Sequence, residues 1–261
     1  MEEKLSIIIP TLNEKQNIKN CLTSLLNQTK KPYEIIIVDN GSTDNTKEIA
    51  KKFEKKFKEK EINFKLFYYP KGNQTNARDF GIKKSKGTII GSLDADAFAD
   101  KNWVSVIIKN FKDQKIVGIG GKSRFRNKGK IFNFFYISIY YLKLLSNLYC
   151  LGGGNSAFRR SAFISVKGYE GLEKLRKQEN ITHAKDDFFL SKKLEQIGKL
   201  KFCPDLNVNL QYRIRNNKTQ KPIKLSIKEI ITRIYLEITY DLRIKKFFNQ
   251  QPALSKVFDF S

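Results

Sequence analysis

The sequence predicts an α/β fold in which helices flank a doubly wound, mostly parallel sheet. Short apolar runs, typical of buried strands, alternate with segments whose apolar residues recur at helical spacing. Alternation of this kind builds parallel strands joined by helical crossovers. The chain of 261 residues is long enough for one sizeable domain with a peripheral extension, and no internal repeat or Gly/Pro-rich linker divides it.

The individual elements follow from these runs in order. Continuous apolar or aromatic residues predict buried strands at Leu5–Ile9, Ile35–Val38, Phe64–Tyr69 and Thr88–Leu93. Helical spacing predicts helices at Asn17–Asn27, Thr46–Lys60, Thr75–Ser85 and Asp186–Gln196. Because each of the first helices connects two strands, the strands are expected to be parallel.

Lysine and arginine are in large excess. The chain carries 50 Lys and Arg residues against 26 Asp and Glu residues, a formal net charge of +24. A field of that sign attracts nucleic acid, anionic lipid head groups or phosphorylated small molecules, although basic residues spread along the chain are equally consistent with solvated helix surfaces. No recognition-helix, RNP or zinc-finger pattern accompanies the charge, so a nucleic-acid partner is not expected.

The cysteines and the N-terminus favour a cytoplasmic protein. Cys21, Cys150 and Cys203 are far apart and form no Cys-x-x-Cys pair. Such spacing argues against structural zinc or a disulfide framework and indicates reduced thiols. The N-terminal apolar run is short and ends at Pro10, which is typical of a strand and not of a secretion signal.

Two segments of the C-terminal half are candidates for contact with a membrane. Ile131–Leu151 has the length of a spanning helix, but Lys143 and several polar residues interrupt it. We expect it to lie at a membrane interface or to pack on the domain rather than to span. Ile223–Phe248 alternates apolar residues with Lys and Arg and predicts a basic amphipathic helix. The chain is therefore divided into a domain at residues 1–205 and a helical extension at residues 206–261.

Polar clusters follow three of the predicted strands, at Asn13-Glu14, Asp39–Asp44 and Asp94–Asp96. In doubly wound sheets, ligands bind beyond the carboxyl ends of the strands, so these clusters predict a site for a polar, phosphate-bearing ligand. Asp94 and Asp96 can share a hard cation such as Mg²⁺ or Mn²⁺, which would neutralise a diphosphate leaving group. Taken alone, the pair also fits an ordinary acidic turn after a strand.

An ordered set of motifs over residues 5–205 resembles the family 2 glycosyltransferases of GT-A fold. The motifs are Ser6–Glu14, Val38–Thr46, Asn76–Gly81, Asp94–Asp96, Gly153–Arg160 and Asp186–Ser191. Each motif is modest, but the order of the whole set is specific. The resemblance implies a Rossmann-like GT-A domain, a nucleotide-sugar donor, a UDP-sugar in many members, and a divalent metal, Mn²⁺ or Mg²⁺.

The resemblance also implies roles for residues at the donor site. Glu14 and Asp39 would hold the ribose and the base, while Arg78 would lie near the diphosphate. Asp94 would contact ribose or metal, and Asp96 would bind the metal directly. The implied donor-binding residues are Pro10, Thr11, Glu14, Asp39, Arg78 and Asp94.

The second half of the motif set implies a catalytic base and an acceptor pocket. A sugar hydroxyl attacks the anomeric carbon only as its proton is removed, which requires a base. Alignment on Leu190-Ser191 assigns that role to Asp187, with Asp186 as the alternative. The implied acceptor or sugar pocket contains Gly153, Gly154 and Asn155, and Arg213 is a candidate phosphate ligand. The lone His183 is expected to be incidental.

The sequence thus predicts an inverting, metal-dependent glycosyltransferase that acts on an acceptor hydroxyl. The expected acceptor is a lipid-linked or growing glycan at the cytoplasmic face of the membrane, where an anionic surface would attract the basic chain. Absence of a Gln-x-x-Arg-Trp pattern argues against processive polymer synthesis. The alternatives are a polyprenyl-phosphate acceptor, a nucleic-acid-binding protein and a scaffold without catalysis.

Overall fold

Four parallel strands form one half of an eight-stranded sheet in the computed structural model, which describes residues 3–70, 72–145, 151–181, 185–210 and 239–249. The strands are β1 (Leu5–Thr11), β2 (Glu34–Asp39), β3 (Asn63–Tyr68) and β4 (Ile89–Leu93). They lie in the order β3-β2-β1-β4, and β1 pairs in parallel with both β2 and β4. The predicted α/β class is confirmed.

The second half of the sheet is mixed rather than parallel. Its strands are β5 (Ala97–Ala99), β6 (Ile116–Phe125), β7 (Asn155–Arg159) and β8 (Lys199–Leu210). Strand β7 runs antiparallel between β4 and β6, β8 is parallel to β6, and β5 is antiparallel to β8. Strand β8 crosses the division expected after residue 205, so residues 206–210 belong to the sheet.

Helices cover both faces of the sheet. They are α1 (Ile18–Leu26), α2 (Thr46–Lys51), α3 (Glu54–Glu59), α4 (Gln74–Lys84), α5 (Trp103–Asn110), α6 (Lys130–Leu145), α7 (Arg160–Ser165), α8 (Leu172–Gln178) and α9 (Asp186–Glu195). The single helix expected at Thr46–Lys60 is therefore two short helices. Residues 239–249 are also helical.

The central strands are buried on both faces, which explains their continuous isoleucine runs. Ile7 and Ile9 belong to one core cluster, with α1 and α5, while Ile8 belongs to the other, with α4 and α9. This alternation is the two-residue period of a strand. At Gly81 of α4, a β-carbon would meet Ile8 and Val38, so the glycine lets α4 approach the sheet closely.

The side chain of Asn155 connects β7 with β6, β8 and α5. Its side-chain oxygen accepts a hydrogen bond from Nε1 of the fully buried Trp103 at 2.8 Å. Its amide nitrogen donates to the carbonyl oxygens of Lys122 on β6 (2.8 Å) and Leu206 on β8 (2.9 Å). A single buried amide thus satisfies polar groups from a helix and two strands.

The segments expected at a membrane are only partly described. Helix α6 accounts for residues 130–145 of the segment predicted at Ile131–Leu151, and residues 146–150 lie outside the described residues. Within the described ranges, no helix combines the length and the apolar character needed to cross a bilayer. Of the amphipathic helix predicted at Ile223–Phe248, residues 239–248 are described and helical, while residues 223–238 are not described, so the helical extension stays a prediction.

We expect Asn155→Ala to lower the free energy of unfolding by about 2–4 kcal/mol, because it strands a buried indole N–H and two carbonyl groups. Urea denaturation at neutral pH measures the loss. Asn20→Ala, on the exposed side of α1, is the matched control and should change the stability little. Equal stability of the two variants would contradict the role assigned to Asn155.

Candidate functional site

Two loops at the carboxyl ends of β1 and β2 are fastened to each other. The side-chain oxygen of Asn13 accepts a hydrogen bond from the backbone N–H of Thr43 at 2.9 Å, and the Asn13 N–H donates to the Ser42 hydroxyl at 2.9 Å. The Glu14 N–H donates to the Thr46 hydroxyl at 2.7 Å. Asn13 has a positive φ of 55°, a conformation that asparagine tolerates better than most residues. The two loops therefore form one continuous wall at the sheet edge.

Asp39 is the last residue of β2 and lies inside this wall. One of its carboxylate oxygens accepts hydrogen bonds, and the other has no partner in the described part of the chain. Its Oδ1 accepts hydrogen bonds from the backbone N–H groups of Gly41 (3.0 Å) and Ser42 (2.8 Å). Its Oδ2 and the hydroxyl of Thr11, the cross-strand partner of Asp39, are buried and have no hydrogen-bond partner among the described residues. Buried polar atoms are normally satisfied, so these two atoms indicate a place for a ligand with hydrogen-bonding groups.

The buried side chain of Arg78 links two distant acidic segments. Its Nη1 donates to Oδ2 of Asp186 at 2.8 Å, and its Nη2 donates to Oδ1 of Asp94 at 3.1 Å. Only 4% of the Arg78 side chain is exposed, against 31% for Asp94 and 12% for Asp186. Gln74, one helical turn earlier on α4, donates from Nε2 to the same Asp94 oxygen at 3.0 Å. The end of β4 and the start of α9 are thereby joined through α4.

Asp94 lies in an electrostatically mixed environment. Burial raises its pKa to about 6; Arg78 opposes this effect, and the negative charges of Asp96 and Asp186 add to it. A β-carbon on residue 154 would overlap the Asp94 carboxylate, so only glycine allows that loop to pass here. The Ser92 hydroxyl donates to the carbonyl of Gly153, which fixes the same loop over the end of β4.

The negative charges of three predicted site carboxylates act on one buried thiol. The Cys21 Sγ donates weakly to the backbone oxygen of Asp94 at 3.7 Å. Burial raises the pKa of this thiol, and the charges of Asp96, Asp94 and Glu14 raise it further. The structure therefore brings Glu14 from the β1 loop close to the Asp94-Ala95-Asp96 segment.

The carboxylates of Asp94 and Asp96 fit a divalent cation of the Mg²⁺ or Mn²⁺ type. Each lies near enough to the other for Asp96 to raise the pKa of Asp94, and carboxylate oxygens are the ligands that such cations prefer. Across the described ranges, no group of three or more His, Cys, Asp or Glu side chains could hold a metal. A cation here would thus need oxygen ligands from a bound phosphate or water, as Mg²⁺ usually has.

The two candidate bases have different hydrogen-bond partners. Oδ2 of Asp186 accepts a hydrogen bond from Arg78, whereas Oδ1 of Asp187 accepts one from the Phe188 N–H at 2.7 Å. Burial raises the pKa of Asp187 to about 6, and the charge of Asp186 adds to the rise; Lys185 opposes it. A carboxylate with such a pKa is deprotonated at neutral pH yet more basic than an ordinary aspartate.

The remaining predicted residues fall in different places. Pro10 is buried in β1 opposite Val38. A β-carbon on Gly153 would lie 3.5 Å from Nη2 of Arg78, so this glycine is at the site. The Asn155 side chain instead belongs to the sheet, because its oxygen and its nitrogen are both bonded there. Arg213 and His183 lie outside the described residues.

Two residues at the site were not predicted from the sequence. Gln74 precedes Arg78 by four residues on α4, and that helical spacing was the available signal. Tyr169, in the turn before α8, has its pKa raised by burial; Arg78 opposes the rise, and Asp186 and Asp187 add to it. No spacing in the sequence connects Tyr169 with these residues, because only the fold brings them together.

Comparisons with known proteins agree on one family. The family model described as Glycosyl transferase family 2 matches residues 6–166. The glycosyltransferase AglE of Haloferax volcanii is 36% identical over 123 residues, which are 46% of this chain and 40% of AglE. A dolichyl N-acetyl-α-D-glucosaminyl phosphate 3-β-D-2,3-diacetamido-2,3-dideoxy-β-D-glucuronosyltransferase of Methanococcus voltae is 34% identical over 124 residues, 45% of this chain and 38% of that enzyme. The chain thus matches about two fifths of the length of these relatives.

Solved structures share the fold. GalNAc-T7 with UDP, GalNAc and Mn²⁺ aligns with a TM-score of 0.61 at 19% identity, covering 81% of this chain and 44% of that one. Residues 1–349 of TarS from S. aureus, in complex with UDP-GlcNAc, align with a TM-score of 0.57 at 20% identity, covering 84% of this chain and 62% of that one. The GT-A fold class is thus confirmed.

We expect Arg78→Met to lower the free energy of unfolding at pH 7.5 by about 3–5 kcal/mol, because it leaves Asp94 and Asp186 without their shared cation. Urea denaturation measures this loss. Arg124→Met, at an exposed position on β6, is the matched control and should stay within about 0.5 kcal/mol of the wild type. A loss no larger than that of the control would refute the linking role of Arg78.

Proposed function

Because the chain belongs to glycosyl transferase family 2, we propose that it transfers a sugar from a nucleoside diphosphate donor to an acceptor hydroxyl, with inversion at the anomeric carbon. The observation that carries the proposal is the link through Arg78, which joins Asp94 and Asp186, together with the unsatisfied carboxylate oxygen of Asp39 at the end of β2. This arrangement combines a donor pocket, a candidate cation site and a candidate base at one edge of the sheet.

The nucleoside occupies the wall formed by the β1 and β2 loops. Oδ2 of Asp39 accepts a hydrogen bond from a base N–H, and the Thr11 hydroxyl satisfies a second polar group of the nucleoside. Glu14 contacts the ribose, and Pro10 shapes the wall. A uracil base suits a single buried acceptor, and a UDP-sugar is therefore the proposed donor. Arg78 lies beside the diphosphate.

Asp94 and Asp96 would hold the divalent metal, Mn²⁺ or Mg²⁺, and its chemical contribution would be to neutralise the negative charge that develops on the leaving diphosphate. The protein supplies the rest of the electrostatic balance. Arg78 compensates Asp94 and Asp186, so that the site does not present an uncompensated cluster of carboxylates to an anionic donor.

Asp187 acts as the general base. It takes the proton of the acceptor hydroxyl as the acceptor oxygen forms its bond to the anomeric carbon. The bond between that carbon and the β-phosphate oxygen breaks on the opposite side, and the nucleoside diphosphate leaves with the electron pair. A single in-line displacement of this kind inverts the anomeric configuration. Asp186 is paired with Arg78 and takes no part in this proton transfer.

The proposed acceptor is a lipid-linked or growing glycan, and the protein works at the cytoplasmic face of the membrane. The name of the Methanococcus relative, which specifies a dolichyl-phosphate-linked sugar, supports a lipid-linked acceptor. Gly153 and Gly154 bring backbone groups to the acceptor end of the site, and Arg213 contributes to phosphate binding. The net charge of +24 favours an anionic membrane surface. The buried free thiols of Cys21 and Cys203 fit a reducing compartment.

UDP with Mn²⁺ at about 100 times its dissociation constant should raise the free energy of unfolding by about 2.7 kcal/mol. Asp39→Asn should weaken UDP binding about 10- to 100-fold, because one carboxylate oxygen becomes an amide that cannot accept from the base. Thermal-shift titration measures both effects. Glu61→Gln, an exposed change, is the control and should bind like the wild type. Unchanged affinity of Asp39→Asn would exclude the proposed base contact.

Asp187→Asn should lower kcat about 10²- to 10⁴-fold. UDP with Mn²⁺ should still raise the thermal midpoint of this variant as much as that of the wild type. The base works deprotonated and its pKa is raised to about 6, so wild-type turnover should fall as the pH drops through about 6. Release of UDP from UDP-GlcNAc measures turnover, and Glu195→Gln on the same helix is the control. Full activity of Asp187→Asn would remove Asp187 from the mechanism.

A further inference from the structure

A buried ion pair connects the C-terminal helical segment with the residue that precedes the two catalytic candidates. Nζ of Lys185 lies 3.0 Å from Oδ1 of Asp241, and the side chains are 8% and 1% exposed. Lys185 is the N-cap residue of α9, which begins at Asp186-Asp187. Asp241 belongs to the helical segment at residues 239–249. The start of α9 is therefore held by a residue more than fifty positions away in the sequence.

The same helical segment is packed firmly against this part of the domain. Tyr240 and Ile244 are buried in a cluster whose other buried members come from α8, from Ile181 and from α9, and the rings of Phe189 and Phe248 lie 5.5 Å apart. Nη1 of Arg243 donates to the Glu179 carbonyl at 3.1 Å. Contacts with α8, with Ile181 and with α9 thus fix the helical segment relative to the start of α9.

The burial of this pair makes it costly to break. Removing one partner leaves an uncompensated charge in a poorly solvated place, which is strongly destabilising. An exposed pair would have no such effect, because water screens it. Two anchors therefore flank the N-terminus of α9: Arg78 binds Asp186 from α4, and Asp241 binds Lys185 from the C-terminal helical segment. Asp187 directly follows the two anchored residues.

We propose that Asp241 is a positioning residue of the active site, which acts through Lys185 to fix both the place and the electrostatic environment of Asp187. The proposal rests on the proposed function, in which Asp187 is the base. The C-terminal helical segment then belongs to the catalytic unit, and its removal would loosen the start of α9.

The charged groups around Asp187 shift its pKa in different directions, and this difference makes the proposal testable. The charged or titratable groups that act on it are Asp186 on α9, Lys185 before α9, Asp241 on the C-terminal helical segment, Arg78 on α4 and Tyr169 in the turn before α8. Apart from burial, Asp186 and Asp241 raise the pKa of Asp187, and Lys185 lowers it. Removing the charge of Asp241 should therefore lower this pKa, and removing that of Lys185 should raise it.

The test compares Asp241→Asn, Lys185→Met and a matched control, Glu34→Gln. Glu34 is also a buried carboxylate, 1% exposed and paired with Lys65 at 2.7 Å, but it begins β2 at the sheet edge opposite Asp39. All three changes remove one buried, charged partner of an ion pair, and each should lower the thermal midpoint by roughly 5–10 °C. Only the first two should move the pKa of Asp187, in opposite directions. A purely structural role predicts no such difference from the control.

Carboxyl ¹³C NMR measures the pKa of Asp187 directly, with its signal assigned by its loss in Asp187→Asn. Opposite shifts in Asp241→Asn and Lys185→Met, with none in Glu34→Gln, support the proposal. Absence of a shift in both variants, or shifts of the same sign, overturns it. Should a single variant fail to fold, the double variant Lys185→Met/Asp241→Leu removes both charges without leaving either unpaired. Lys185 acts on Asp187 more strongly than Asp241 does, so the pKa of Asp187 should rise in the double variant. A pKa of Asp187 that is unchanged or lowered in the double variant would contradict the proposal.

Kinetics separate the failure of this inference from the failure of the proposed function. UDP release from UDP-GlcNAc with Mn²⁺ is followed against pH in the same variants. The acid limb of kcat should follow the NMR pKa, to lower pH in Asp241→Asn and to higher pH in Lys185→Met. Opposite NMR shifts without a matching movement of the acid limb would contradict Asp187 as the base while leaving the electrostatic coupling intact. An acid limb of kcat and an NMR pKa of Asp187 that coincide in the wild type and both stay unchanged in the two variants would contradict the coupling alone.

Discussion

The buried guanidinium of Arg78 is the group on which the arrangement of the site depends. It is the shared partner of Asp94, which follows β4, and of Asp186, which begins α9. These two residues are more than ninety positions apart in the sequence. Carboxylates this close repel one another unless a cation lies between them, and a guanidinium offers two donors in a fixed plane. Without Arg78, the carboxylates of Asp94 and Asp186 would lose their shared cation. A single side chain therefore connects the end of β4 with the start of α9.

The contrast between surface and site has a physical consequence. The chain is strongly basic overall, yet its candidate site contains several carboxylates: Glu14, Asp94 and Asp96 act on one buried thiol, and Asp186 and Asp187 begin α9. Excess positive charge attracts anions over a distance. In the proposed function, the acidic groups at the site hold a cation and accept a proton. The overall charge and the charge at the site thus have opposite signs, so the net charge alone said little about the chemistry.

Much of the first half could be predicted from the sequence because its strands are buried on both faces and end in polar residues. Isoleucine runs such as Ile7–Ile9 leave little choice of structure, and β1, β2 and β4 lie close to where the patterns indicated. The antiparallel β7 and the short β5 could not be predicted, because their partners are distant in sequence. Asn155 belongs to a motif that predicts a pocket residue, but its side-chain amide connects β7 with β6 and β8.

The site shows the same division between local and long-range information. Asp39 and Asp94 follow strands directly, so the sheet itself explains why they lie at one edge. Neither the pairing of Arg78 with Asp186 nor that of Lys185 with Asp241 follows from any local pattern, since each joins elements through tertiary packing. Asp186 and Asp187 are neighbours of the same type, and only the position of Arg78 distinguishes them. Residues that act through a distant partner therefore cannot be identified from local sequence patterns.

A crystal structure with UDP and Mn²⁺, measured at the manganese absorption edge, would locate the nucleotide, the metal and Arg78 together. We expect an anomalous peak beside the Asp96 carboxylate, a uracil ring at Asp39, and Arg78 between Asp94 and Asp186 next to the diphosphate. A nucleotide bound away from this edge of the sheet, or Arg78 contacting neither carboxylate, would contradict this arrangement.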